Sequence, residues 1–247
     1  MKSKAFYNFM SAIVVLFAVS TTQVSAIELS RLDMGVQMTF PARYAVISDT
    51  GVQNRGGLSE DTIQQITKIL SESDLSYVAV TRDFSEEIDI SLLTGEYATF
   101  TYASDSELLD LGETLLSDLK KRAKNMDGYE NVVISPPVIH RHSQTKFILI
   151  ESTNGNMHTS QYITYYNNKG YGFAFINHSG DVNKKEVNEF ISDIKFLQAP
   201  IDNSASIKPV QSSGSLTSKT LETGVIAATA AAVIGIPLLI FQRRKKT

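Results

Sequence analysis

The 247-residue chain has no cysteine, which excludes disulfides, thiol nucleophiles, thiolate metal sites and a lipid-modified N-terminal cysteine in one step. An exported domain built this way is held by its core alone. The usage suits a bacterial cell surface better than a eukaryotic one, so the single sequon Asn177-His178-Ser179 reads as a chance match. Ready-made catalytic spacings are missing as well: there is no GxSxG, HExxH, P-loop or calcium loop, and no LPxTG-type sorting motif stands before Gly224. Positive charge is scarce in the body of the chain. Residues 27–200 carry 15 Lys and Arg against 24 Asp and Glu, a net charge of −9 that repels phosphate backbones and excludes nucleic acid as a partner.

What is present at the two ends concerns the membrane. Lys2 and Lys4 precede the apolar run Ala12 to Val19, and the small residues Val24 and Ala26 fit a peptidase at the minus-three and minus-one positions. This is the pattern of a signal peptide over 1–26, cleaved after Ala26. Gly224 to Phe241 carries no charge and, at about 1.5 Å per residue, covers about 27 Å, enough for one transmembrane helix over 224–241. Pro237 is tolerable in a membrane helix that can kink. The basic tail 242–247 follows at once and belongs in the cytoplasm, which places the body outside. Residues 201–223 are rich in Ser and Thr with few large apolar groups, and read as a flexible stalk. One extracellular domain, 27–200, remains in what is expected to be a single-pass cell-membrane protein.

Within that domain Val36 to Phe40 alternates as a strand and Tyr44 to Ile47 as a second, followed by a loop containing Gly51, Gly56 and Gly57. Ser59 is placed to cap a helix whose apolar face is Ile63, Ile66 and Leu70. Tyr77 to Val80 and Ile88 to Ser91 read as strands, and a long helix spans about Ser106 to Lys124 with Leu108, Leu111, Leu115 and Leu119 on one stripe. Val132 to His142, Lys146 to Glu151, Thr159 to Tyr166 and Gly170 to Asn177 form an expected antiparallel meander, closed by a helix over Lys184 to Ile194. Helices grouped against an antiparallel sheet define an α+β sandwich.

The segments Phe40 to Ile47, Leu75 to Asp83 and Ile88 to Ile90, with the hairpin from Gln161 to Phe175, resemble the PsbP-like domains of membrane-anchored surface proteins of Gram-positive bacteria. The resemblance covers Val36 to Leu197. It implies an antiparallel sheet sandwiched by helices and a binding or assembly role, and it brings no catalytic residue with it.

The residues with local chemical content are few. His140 and His142 are two apart on an expected strand, so both imidazoles share a face and are the candidates for a metal, with His158 or Glu151 as a third ligand if the meander brings them alongside. Ser-x-x-Lys occurs at Ser117/Lys120, Ser143/Lys146 and Ser192/Lys195 without its companion motifs, the pattern of chance. Lys120, Lys121, Arg122 and Lys124 end the long helix, where the helix dipole accounts for them and an anionic cell-wall polymer or lipid headgroup is the alternative. Tyr162, Tyr165, Tyr166 and Tyr171 cluster in the hairpin. The expectation is a non-catalytic, membrane-anchored extracellular module, without cofactor, that binds an envelope protein or anionic polymer. The alternative is an envelope enzyme with a metal-assisted site at His140 and His142.

Overall fold

Alternation of apolar side chains builds a central sheet with two buried faces. The computed structural model describes residues 26–202 apart from 32–33, 74, 95–98, 126–127 and 130. The expected signal peptide but for Ala26, the expected stalk but for Ile201 and Asp202, the expected transmembrane helix and the basic tail lie outside these residues. Among the described residues no helix is long and apolar enough to cross a membrane.

The elements in chain order are β1 (Ile27–Arg31), β2 (Val36–Phe40), β3 (Tyr44–Ser48), β4 (Gly51–Asn54), α1 (Glu60–Ser71), β5 (Leu75–Thr81), β6 (Glu86–Thr94), α2 (Asp105–Ala123), β7 (Val133–Ile134), β8 (Val138–Arg141), β9 (Lys146–Asn154), β10 (Met157–Tyr166), β11 (Lys169–Asn177), α3 (Lys184–Asp193) and β12 (Lys195–Phe196). The main sheet runs β4-β3-β5-β6-β11-β10-β9, with β7 and β8 both on the outer edge of β9. Every pairing in it is antiparallel. A second, three-stranded sheet has the order β1-β2-β12.

One face of the main sheet is aromatic. Tyr77, Phe147, Tyr162, Tyr171, Phe173 and Phe175 pack there against Val187, Phe190 and Ile191 of α3 and against Val36, Met38, Phe40 and Phe196 of the small sheet. Phe190 meets Phe40 and Phe175 edge-on, at ring separations of 5.2 and 5.3 Å, an arrangement that adds about 0.5–1.5 kcal/mol per pair to the burial itself. The opposite face carries two separate clusters. Ile63, Ile66 and Leu70 of α1 cover Ala45, Ile47, Val78 and Val80, while Leu108, Leu115 and Leu119 of α2 cover Ile148, Ile150 and Ile163. Between the helices a strip over β6 and β11 carries Glu87, Asp89 and Ser91 beside Ile176, Ala174 and Gly172.

The expected α+β sandwich is the observed architecture, with three differences in detail. The stretch from Val132 to His142 is not one strand but two short ones, because Ser135-Pro136-Pro137 interrupts it and proline has no N–H to give the ladder. Gly51–Asn54 is a strand rather than loop, pairing with β3 through a bulge. The small sheet shares the aromatic face with α3, where only a helix was expected. As expected, Gly56 and Gly57 lie in a loop, which is a tight turn: Gly56 has φ of +52°, and a Cβ there would lie 2.4 Å from the Ala45 nitrogen.

Candidate functional site

The β9–β10 hairpin positions the most developed surface site. Gly155, with φ of +61°, is the first of two loop residues and sets the turn that brings Ser160 opposite Glu151. His158 lies two residues before Ser160, so all three side chains share one face. The start of α3 closes over them: Lys184 Nζ stands 3.0 Å from Glu151 Oε1, and His158 Nδ1 stands 3.0 Å from Asp181 Oδ1. Asn183 caps the helix by accepting from Glu186 N. With Val133 and Ser135 of the β7 segment these residues line an open groove of about 430 Å³. Ser160 Oγ donates to Glu151 Oε1 at 3.5 Å rather than to His158, so the serine, histidine and aspartate here are not wired as a relay triad. The Lys184–Glu151 ion pair and the His158–Asp181 contact, side by side in an open groove, are suited to recognising a ligand with both donors and charges.

His140 and His142 do fall on one strand end, facing Phe147. His142 Nδ1 accepts from Gln144 N at 3.1 Å, which leaves the proton on Nε2, and that nitrogen donates to Ile194 O at 3.0 Å. Neither ring nitrogen of His142 is then open to a metal. His140 packs edge-on against Tyr162 at 5.2 Å, and burial pulls its pKa below the usual histidine value, with the charge of His142 adding to the effect. The hoped-for third ligands are elsewhere. His140 pairs with Phe147, and Glu151 is four residues further along β9, roughly 13 Å away at about 3.3 Å per residue. Among the described residues no three His, Asp or Glu side chains gather in a metal-binding group.

A buried polar cluster was missed by sequence reasoning. Glu87 and Asp89 project from β6 into the strip between α1 and α2, with Ser91 beyond them, and Asp89 is fully buried. Glu87 Oε2 meets His178 Nε2 at 3.1 Å, and both groups are buried. Asp89 is flanked on its neighbouring strands by Val78 and Ala174. With both carboxylates ionised, Glu87 Oε1 and the two Asp89 oxygens have no donor. Burial accordingly pushes the Asp89 carboxyl well above the usual range, the charge of Glu87 adds to this, and the proton so retained bonds Asp89 to Glu87. Tyr129, from the connection between α2 and β7, lies near enough for Glu87 to reinforce the rise that burial causes in its phenol.

The remaining candidates resolve into structure. Tyr162, Tyr165, Tyr166 and Tyr171 are all core residues, each less than 5% exposed, and form no external platform. Lys146 is committed to Asp105 and to Ala103 O, away from Ser143. Lys121 pairs with Asp118 on its own helix, while Lys120 and Lys124 are exposed. In the sequon, Asn177 donates to Asp181 O and accepts from Ser179 N, a closed local turn.

The fold and these sites define an antiparallel α+β sandwich with a surface groove and a buried acidic pair. No family model matches the sequence, and no curated protein matches it. Solved structures do. The chain is similar to the solution structure of cyanobacterial PsbP (CyanoP) from Synechocystis sp. PCC 6803, at 13% identity and a TM-score of 0.44 over 72% of this chain and 95% of that one. It is also similar to a crystal structure from Bacteroides thetaiotaomicron VPI-5482, at 12% identity and a TM-score of 0.35 over 66% of this chain and 46% of that one. The first is a PsbP protein, the family that the sequence resembles.

Proposed function

We propose that the chain is a membrane-anchored extracellular module that binds another component of the cell envelope and performs no chemistry of its own. The observation that supports this reading is the groove between β7, the β9–β10 hairpin and α3. It is open, it carries the Lys184–Glu151 ion pair beside the His158–Asp181 contact, and its hydroxyl and imidazole are engaged with carboxylates rather than with each other. Such a surface recognises an irregular array of charges, which is what a folded protein partner presents. Its modest size fits a transient contact.

The test places a photo-crosslinking residue at Ser135 in the full chain and illuminates native membranes. A discrete adduct is expected from Ser135, none from Asp61 on the exposed face of α1, and loss of the adduct when Lys184→Glu replaces the ion pair with Glu151 by two repelling carboxylates. Equal labelling at Ser135 and Asp61 would refute the groove as the contact surface. Anchoring is checked separately: the full chain should resist extraction by alkaline carbonate, and protease applied to intact cells should release the domain.

A further inference from the structure

Among the described residues seven large apolar side chains are substantially exposed, and three of them belong to one seam: Tyr102 at 45%, Leu197 at 41% and Ile201 at 54%. Two of them, Leu197 and Ile201, lie in the last described stretch of chain, which ends at Asp202. Tyr102 Oη donates to Pro200 O at 3.3 Å, and Tyr166 Oη donates to Gln198 O at 2.8 Å. Asn167 uses both ends of its amide, donating to Ala199 O and accepting from Ile201 N at 2.8 Å each. Main-chain groups from 198 to 201 are therefore fastened to the body, Phe196 is stacked on Tyr166 at 4.2 Å, and Leu197 and Ile201 are left outside. No residue from Phe196 to Ile201 carries a charge.

We propose that this seam docks on lipid, resting in the interfacial layer of the same bilayer that residues 224–241 span. The inference rests on the anchoring reading above. Three considerations select lipid as the occupant. The described residues end at the seam, at Asp202, and the uncharged run follows after residues 203–223, a stretch of 21 residues whose root-mean-square reach as a random coil would be about 25 Å. Tethering at that range makes the second contact intramolecular, so a small and weak surface suffices. Tyrosine beside aliphatic side chains is also the composition that favours a membrane–water boundary, with an apolar body and a polar tip. The net charge of −9 over 27–200 directs the contact toward uncharged headgroups, because anionic lipid would repel the domain.

The chain has no tryptophan, so a single indole is a clean reporter. The full chain carrying Leu197→Trp is reconstituted into phosphatidylcholine vesicles with and without brominated acyl chains. Its emission should shift to the blue and be quenched at least about twofold by the brominated lipid, as expected for an indole at the acyl boundary. Val133→Trp, exposed at the other end of the sheet, should be unaffected. Doping the vesicles with anionic lipid should weaken the quenching of the Leu197→Trp protein, and adding Ile201→Ser with Tyr102→Ser should abolish it. A carbonate wash separates the two claims. Protein that stays with the vesicles while the Leu197→Trp indole is quenched no more than the Val133→Trp indole overturns the docking alone. Protein that washes off overturns the anchor and the docking with it.

Discussion

Replacing Asp89 by Asn should change how stability depends on pH more than it changes the fold. Asp89 is fully buried between Val78 and Ala174, and its ionised oxygens would have no donor. The folded chain therefore holds a proton that the unfolded chain, with an ordinary aspartate near 3.9, gives up as pH rises. A carboxyl raised on folding contributes stability that is fully present below the unfolded value and is lost as pH climbs toward the folded one. Over that window the loss approaches about 1.4 kcal/mol per pH unit, which is large against a domain stability of about 5–15 kcal/mol. Asparagine matches the protonated acid in shape, can donate to Glu87, and takes up no proton. Urea unfolding of residues 27–202 at several pH values between 4 and 8 should give curves that meet at the acid end. Toward neutrality Asp89→Asn should become the more stable form by up to that slope. The interaction of Glu87 with His178 is common to both proteins and cancels in the difference. Parallel stability curves would mean that Asp89 is ionised and compensated in the fold, and the reasoning would fail.

Gly56→Ala should destabilise the domain by more than about 1 kcal/mol, since it combines a positive φ with a Cβ 2.4 Å from the Ala45 backbone, whereas Gly180→Ala meets open space and should stay within about 0.5 kcal/mol by the same denaturation assay. Zinc or copper at millimolar concentration should leave the melting temperature unchanged, because both nitrogens of His142 are engaged; an upward shift that His142→Ala removes would show that the ring trades those bonds for a metal. A fragment of residues 27–202 should be soluble, cooperatively folded and indifferent to reducing agent, and limited proteolysis of the full chain in detergent should cut first beyond Asp202, with an unfolded fragment as the refuting result.

Much of the architecture was legible because apolar period and capping chemistry agree. Ser59 caps α1 as its sequence suggests, accepting from Thr62 N, and Ile63, Ile66 and Leu70 are the buried face. The start of α2 was read too late because Ser104, Asp105 and Ser106 can each cap a helix. Glu107 decides among them by closing a capping box with Ser104. The strands β1 and β4 were missed, although each pairs with its neighbour in sequence, β2 and β3, because each is short; β12 is two residues long and its partners, Val36 and Gln37, are distant. The site was less legible than the fold. His158 and Glu151 were named, but as companions of His140 and His142; the register of β9 against β10 and the start of α3 give them Asp181 and Lys184 instead. Asp89 misled most. Ile88-Asp89-Ile90-Ser91 alternates like a strand with one wet face, yet β6 is central and both of its faces are covered, so the polar set is buried and only topology could have shown it.

The two ends of β10 connect the groove with the exit seam. His158 and Ser160 lie in the groove near one end, while Tyr166 and Asn167 hold the segment 198–201 at the other. From Ser160 to Asn167 the strand advances roughly 23 Å at about 3.3 Å per residue, through the most interlocked part of the core, where Tyr162 packs on Phe147 and Phe175. A sheet packed on both faces does not bend over that distance. With the seam resting on lipid, the groove would stand at most about two nanometres further from the bilayer, at a separation from the seam held by the sheet rather than by the length of the linker. The stretch 203–223 would then limit how far the domain can wander, and the seam would set which way the groove faces. On this geometry a change in the linker's length should matter less to partner capture at Ser135 than loss of Leu197 and Ile201. Halving the linker tests the order of these effects: if that alone removes the Ser135 adduct while Leu197→Ser with Ile201→Ser leaves it intact, the linker governs presentation and the seam does not.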